Sequence, residues 1–291
     1  MNIKKTLRIS SLAFAAALFG PWVSTTAATA TPSPSFNEAF KGYDACFLLY
    51  DVNAKKLVAE YNPGGRCKQR IAPNSTFKVP LSLMAFNEKL IDQRTVFKWN
   101  GQKYDRQELN RDQTPRSWLQ DSALWVSQDI APSLGYARIG KYLDDFNYGN
   151  LDFSGDIGKN NGLTNAWLSS SLQISAYEQL DFLKAMEAHQ LPVSREAIDQ
   201  TRENMALGKL ENGADIYGKT GAGRHRMRTS DRTPSKLRDG WFVGIVEGSG
   251  EHYIFVSNLT DRQAPSADDR YAGSQILKPI VMRILNDRTA H

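Results

Sequence analysis

Cysteine and histidine are scarce in this 291-residue chain, with two of one and four of the other. His189, His225, His252 and His291 show none of the spacings that gather ligands round a metal, and neither cysteine pairs with them, so no metal is expected. Long apolar runs are missing too. Beyond the first 30 residues nothing approaches the roughly 20 consecutive apolar positions of a membrane-crossing helix, so no membrane span is expected. Charge of one sign is hardly in excess. The formal net charge is +5, but three of the positive charges, Lys4, Lys5 and Arg8, precede residue 31 with no acid among them, which leaves the remainder at +2. So small a surplus gives no reason to expect nucleic acid or an acidic membrane as a partner. What is present, 41% hydrophobic and 23% charged residues, is the composition of a globular domain able to bury a large core.

Residues 1–30 have the layout of a secretory signal. The three cations are followed by the apolar Ile9 to Phe19 and then by small residues ending Ala28-Thr29-Ala30. Cleavage is expected after Ala30, giving a periplasmic or secreted protein whose residues 31–291 form one domain with a loose start around Thr31 to Ser35. In an oxidising compartment Cys46 and Cys67 could form a disulfide. Cys46 lies in an apolar strand, however, where a buried free thiol is equally compatible.

Between Ala45 and Tyr61 the pattern reads as two strands around an Asn53-Ala54 turn. From Thr76 to about Leu207 the signals are mostly helical, the clearest being "ISAYEQLDFLKAMEAH", in which Leu180, Phe182, Leu183 and Met186 fall on or near one side. After Gly213 come short strands, "DIYGKTGAG", "GWFVGIVEG" and "HYIFVSNLT", and then a helix from about Ala272 to Leu285. Strands at both ends with helices between them predict an α+β fold, in which the two ends of the chain complete one antiparallel sheet flanked by helices and the middle forms a helical lobe.

Within "IAPNSTFKVPLSLMAF", Ser75 and Lys78 stand three residues apart at the start of a run that is apolar on nearly every side. One helical turn would set both side chains on one face, the arrangement of a nucleophile and its base. Burial would disfavour the charged lysine, and the helix N-terminus would offer amide donors to an oxyanion. Alone, Ser-x-x-Lys is more often a helix cap followed by a solvated lysine. "YGKTGAG" adds Lys219, Thr220 and Gly221 on a strand, a cation, a hydroxyl and a residue without a side chain, which suits a strand edge that receives an anion. The two patterns in this order are associated with acyl-transfer enzymes acting on penicillins.

With "STFK" at 75–78, "YGN" at 148–150, "KTG" at 219–221, "AWLSSSLQIS" around Trp167 and "GWFVG" at 240–244, the sequence resembles the class D serine β-lactamases, the oxacillinase family. Tyr148-Gly149-Asn150 separates that class from class A, which has Ser-Asp-Asn. The resemblance implies a fold of the serine β-lactamase and penicillin-binding-protein type, and hydrolysis of the β-lactam amide of penicillin-type antibiotics, conferring resistance. It gives Ser75 the acyl-enzyme, and Lys78, converted by carbon dioxide to a carbamate (N6-carboxylysine), the part of general base. Trp167 would hold the carbamate and Ser122 would relay a proton to the lactam nitrogen. The backbone amides of Ser75 and Ala222 would form the oxyanion hole, and Lys219 and Thr220, with Gly221 beside them, would hold the substrate carboxylate. No cofactor beyond carbon dioxide or bicarbonate is implied, and no partner beyond the small-molecule β-lactam. A monomer and a homodimer are both compatible with the sequence.

Two departures stand out. "QDSALWVSQ" offers Ser122-Ala123-Leu124 where the family has Ser-x-Val, with Ser127 as a rival further along, and Leu124 is expected to alter the carbamate pocket. Near the C-terminus many members carry a carboxylate-binding Arg. Here Arg270 is close, but Ser274 occupies the equivalent place. The run from 224 to 239 holds six Lys or Arg against two Asp, and reads as a solvated loop tip or as a border that steers anions through Arg224, Arg226 and Arg228. Two other readings share Ser-x-x-Lys and Lys-Thr-Gly: a peptidoglycan transpeptidase or carboxypeptidase, and an antibiotic sensor, which would need a membrane span.

Overall fold

The computed structural model describes residues 35–227, 231–248 and 250–289, so the signal segment and Arg228 lie outside the described residues. Six strands, β1 (Tyr43–Asp51), β2 (Lys56–Tyr61), β3 (Ala206–Lys209), β4 (Asp215–Arg224), β5 (Arg238–Gly248) and β6 (Glu251–Asp261), form one sheet in the order β2-β1-β6-β5-β4-β3. Every neighbouring pair is antiparallel. The first strands of the chain thus lie beside the last, as the distribution of strand signals predicts. β3 was not expected. Its residues end a stretch read as helix, and "ALGK" is too short to show a period of its own, so only its pairing with β4 makes it a strand.

Around the sheet lie α1 (Phe36–Ala39), α2 (Lys78–Asn87), α3 (Pro115–Gln120), α4 (Leu124–Asp145), α5 (Gly162–Asn165), α6 (Ala176–Glu187), α7 (Arg195–Asn204) and α8 (Gly273–Thr289). α6 starts where its sequence dictates. Ser175 Oγ accepts from the Glu178 amide and the Glu178 carboxylate accepts from the Ser175 amide, a capping box, after which Leu180, Phe182, Leu183 and Met186 are all buried.

Both faces of the central strands are covered, which explains their nearly unbroken apolar sequences. In β1, Cys46 and Leu48 join the core on one face, and Ala45, Phe47 and Leu49 the core on the other. β6 alternates likewise, with Ile254 and Val256 against Phe255 and Leu259. α8 seals the second face through Leu277, Val281 and Leu285. The helices of the middle of the chain pack on the first, sharing one continuous cluster of buried side chains with the sheet. Cys46 is bonded to Cys67, which closes a loop with a sequence separation of 21. A cross-link of that span contributes on the order of 3 kcal/mol by restricting the unfolded chain.

Candidate active site

Ser75 does not open an α-helix. It sits in a single 3-10 turn, Asn74–Phe77, that passes directly into α2 at Lys78. The turn is fixed from both sides. Asn74, at φ 50°, donates its amide to Trp167 O at 2.9 Å, and Thr76 Oγ1 donates to Pro73 O at 2.8 Å. In a 3-10 turn residues three apart are nearly eclipsed, so Lys78 Nζ comes to 3.5 Å from Ser75 Oγ. The tighter turn therefore serves the pairing better than the α-helical face inferred from spacing.

Lys78 is 1% exposed and no carboxylate pairs with it among the described residues. Burial, followed by the nearby positive charge of Arg106, lowers its pKa to about 7. Trp167 is fully buried, stacked against Phe77 at 5.2 Å and Phe153 at 5.8 Å, and its indole Nε1 has no hydrogen-bond partner. An orphaned buried donor costs about 1–3 kcal/mol, so its retention beside the residue that precedes Lys78 asks for an acceptor.

The Tyr-Gly-Asn segment holds the Trp167 region in place. Asn150 exchanges hydrogen bonds with Gln173, its amide donating to Gln173 O and its Oδ1 accepting from the Gln173 amide, both at 2.9 Å. Its Nδ2 donates to Ser171 O. Gly149 is at φ 68°, and a Cβ there would lie 2.1 Å from Gln173 O, so no other residue fits. Tyr148 is buried with its ring edge towards Phe77.

On the opposite wall, Lys219 is 3% exposed and donates to Ser122 Oγ at 3.1 Å and Thr220 O at 3.0 Å. Burial, then the charges of Lys78, Arg106 and Lys278, hold its pKa well below the usual lysine range. Ser122 occupies the turn between α3 and α4 with φ 59°. Its rival Ser127 is buried, accepts from Trp118 Nε1 through its hydroxyl and does not border the cleft that Ser122 lines. Leu124 begins α4 and packs half-buried on the core. β4 passes so close to the nucleophile turn that a Cβ at Gly221 would lie 2.7 Å from Pro73 O. Gly221→Ala is therefore expected to push β4 and Ser75 apart, lowering kcat/KM by about 10²-fold and stability by about 1–3 kcal/mol, measured by nitrocefin turnover and a melting curve.

Ser75, Ser122, Thr220, Ala222, Ser274 and Arg106 border a cleft of about 440 Å³. A larger cavity of about 620 Å³ lies between α2 and α7, but its one serine, Ser194, is committed to capping α7. Ser274, and not Arg270, reaches the cleft. Sequence reasoning missed Arg106, Glu108 and Gln120 on its rim, which lie in a charged stretch with no motif or period to mark them. The described tip of the basic run, with Arg232 and Lys236, is exposed as a solvated tip predicts, but two of its cations are structural. Arg226 is buried against Asp156 at 3.3 Å and donates to Ser169 O, Arg238 is paired with Asp261 and Asp269, and neither borders the cleft. Arg224 donates to Lys236 O across the base of the loop. Among the described residues no cluster of His, Cys, Asp or Glu could hold a metal, and no helix is long and apolar enough to cross a membrane.

Residues 45–286 match the penicillin binding protein transpeptidase domain. The β-lactamase OXA-1 of Escherichia coli is 49% identical over 222 residues, 76% of this chain and 78% of that protein. The solved structure of the OXA-427 class D β-lactamase superposes with a TM-score of 0.74 at 33% identity, over 84% of this chain and 98% of that one. The C-terminal domain of the Bacillus licheniformis BlaR penicillin receptor also superposes at 0.74, with 28% identity over 88% of this chain and 95% of its own. Identity at that level with one β-lactamase, and a backbone that follows a class D enzyme along nearly all of its length, make the chain a member of the class D serine β-lactamases.

Proposed function

We propose that this β-lactamase is exported through its N-terminal signal and hydrolyses penicillin-type antibiotics by way of a Ser75 acyl-enzyme, with carboxylated Lys78 as the base for deacylation, and so confers resistance. The observation that carries the reading is Lys78 itself, an amine buried without a counter-ion, about half neutral near pH 7 and 3.5 Å from Ser75 Oγ. Carbon dioxide reacts only with a neutral amine, and the unpartnered Trp167 Nε1 is a donor suited to the product, so the residues fit the modification. When bound, carbon dioxide supplies Lys78 with a carboxylate that can act as a general base.

In this scheme Ser75 Oγ attacks the lactam carbonyl as the Lys78 side chain takes its proton, and the amides of Ser75 and Ala222 face the oxyanion. The C–N bond breaks as Ser122, bonded to Lys219, delivers a proton to the departing nitrogen and is restored by the proton that the Lys78 side chain took from Ser75, which frees Lys78 to act as a base again. Lys219 and Thr220 hold the substrate carboxylate. Water then attacks the ester, giving its proton to the Lys78 side chain, which passes it to Ser75 Oγ as the C–O bond breaks and the product acid leaves.

Because only the neutral amine is modified, nitrocefin turnover is expected to fall as pH drops below about 7, and added bicarbonate to restore it. No response to bicarbonate would defeat the modification while leaving the acyl-enzyme intact. The likeness to the BlaR receptor domain supports a second reading, a penicillin binder that acylates without turnover. Mass spectrometry separates the two: continuous hydrolysis speaks for the enzyme, and a single persistent adduct for the receptor.

A further inference from the structure

Among the described residues that border the cleft, Arg106 is the one cation, and nothing in the scheme above uses it. It sits on the rim between Ser122 and Glu108, with its side chain 52% exposed. Its guanidinium donates through Nε to Glu108 Oε1 at 2.9 Å and through Nη2 to Asp121 O at 2.8 Å, with Nη2 also 2.8 Å from Glu108 Oε1 in the ion pair. Among the described residues none accepts a hydrogen bond from Nη1, which leaves part of the donor fork to meet another acceptor. The Glu108 carboxylate is 43% exposed, and a pair this wet contributes little, about 0–1 kcal/mol, so exchanging it for another carboxylate is close to neutral. The field of Arg106 also reaches the centre of the site, where its charge helps to depress both Lys78 and Lys219. With Lys219 already bonded to Ser122 and Thr220 O, an anion entering on the rim side meets Arg106 first.

We infer that Arg106 is a specificity-determining residue that selects β-lactams carrying a second carboxylate on the acyl side chain, the anion displacing Glu108 from its guanidinium. The inference rests on the hydrolytic reading and names a substrate class within it. A guanidinium matches a carboxylate with two parallel donors, and a half-exposed contact of this kind discriminates mainly in binding.

The test compares benzylpenicillin with carbenicillin, which differs by one carboxylate on the side chain, in the wild type, Arg106→Gln and Arg106→Lys. The readout is the ratio of the two kcat/KM values, because any influence of Arg106 through Lys78 is common to both substrates. In Arg106→Gln the carbenicillin to benzylpenicillin ratio is expected to fall about three- to tenfold, chiefly through KM, and Arg106→Lys to recover most of it. Raising NaCl to about 0.5 M is expected to erode the wild-type ratio in the same direction. An unchanged ratio in Arg106→Gln, whether both substrates slow together or neither does, overturns the inference and leaves the hydrolase standing. If the wild type does not turn over benzylpenicillin at all, the hydrolytic reading fails and takes the inference with it.

Discussion

Replacing Ser75 by alanine is expected to reduce nitrocefin hydrolysis to the buffer rate, a loss of about 10⁵-fold, without loss of the fold. The hydroxyl holds no structural position. The backbone of its turn is fixed by Asn74 and Thr76, and among the described residues Ser75 Oγ bonds only with Lys78 Nζ. Removing it should relieve the nearby amine of a partner without opening the core. Circular dichroism and the melting temperature should match the wild type, and mass spectrometry after exposure to penicillin should find no adduct. An adduct in Ser75→Ala would assign the nucleophile to another hydroxyl of the cleft, such as Ser122.

The second large effect concerns Lys78, where the consequences for rate and for stability run in opposite directions. Lys78→Met should lower turnover by about 10³-fold or more, and any acyl group that does reach Ser75 should persist, because the base for hydrolysis of the ester has gone. The same change should stabilise the protein. In the folded state Lys78 has a pKa of about 7, against 10.5 for a free lysine side chain, so the unfolded chain gains more from protonating this lysine than the folded one does. The resulting penalty is full below about pH 7 and disappears as pH rises towards that of the free side chain. Methionine, similar in length and without charge, removes it, and in buffer free of carbon dioxide, where Lys78 is the unmodified amine, a gain on the order of 3 kcal/mol at pH 7 is expected from denaturant titration, shrinking at high pH. A variant no more stable than the wild type would mean that the burial of Lys78 is compensated by its surroundings.

Much of the candidate site was legible in the sequence because its chemistry depends on residue types at short spacings. Ser75 with Lys78, and Lys219 with Thr220 and Gly221, each lie within four consecutive positions, and each survives folding as a local unit. The closure of the sheet by both ends of the chain was legible because the central strands alternate between two buried faces and so read as apolar throughout. What escaped was set by distant partners. β3 is a strand only because β4 lies beside it. The 3-10 turn at Ser75 exists because Trp167 O accepts from Asn74, a bond between segments more than 90 residues apart. Arg226 and Arg238 look like solvated charges until Asp156, Asp261 and Asp269 are folded against them. Arg106 carries no sequence signal, since an arginine in a charged loop acquires meaning only from the cleft on which it borders.

The strand order also bears on when such a chain can work during its own synthesis. β1 is bonded on one side to β2, its immediate successor, and on the other to β6, which is not complete until residue 261. Lys219 and Gly221 lie on a strand that is held from the sheet's centre only by β5, itself braced by β6. A chain emerging from its N-terminus therefore carries Ser75 and Lys78 long before any wall exists to close on them, and it stays without a finished core until its last strand arrives. Activity should switch on in one step near the end of the polypeptide, so a nascent or truncated chain that stops before β6 has no partial enzyme to offer.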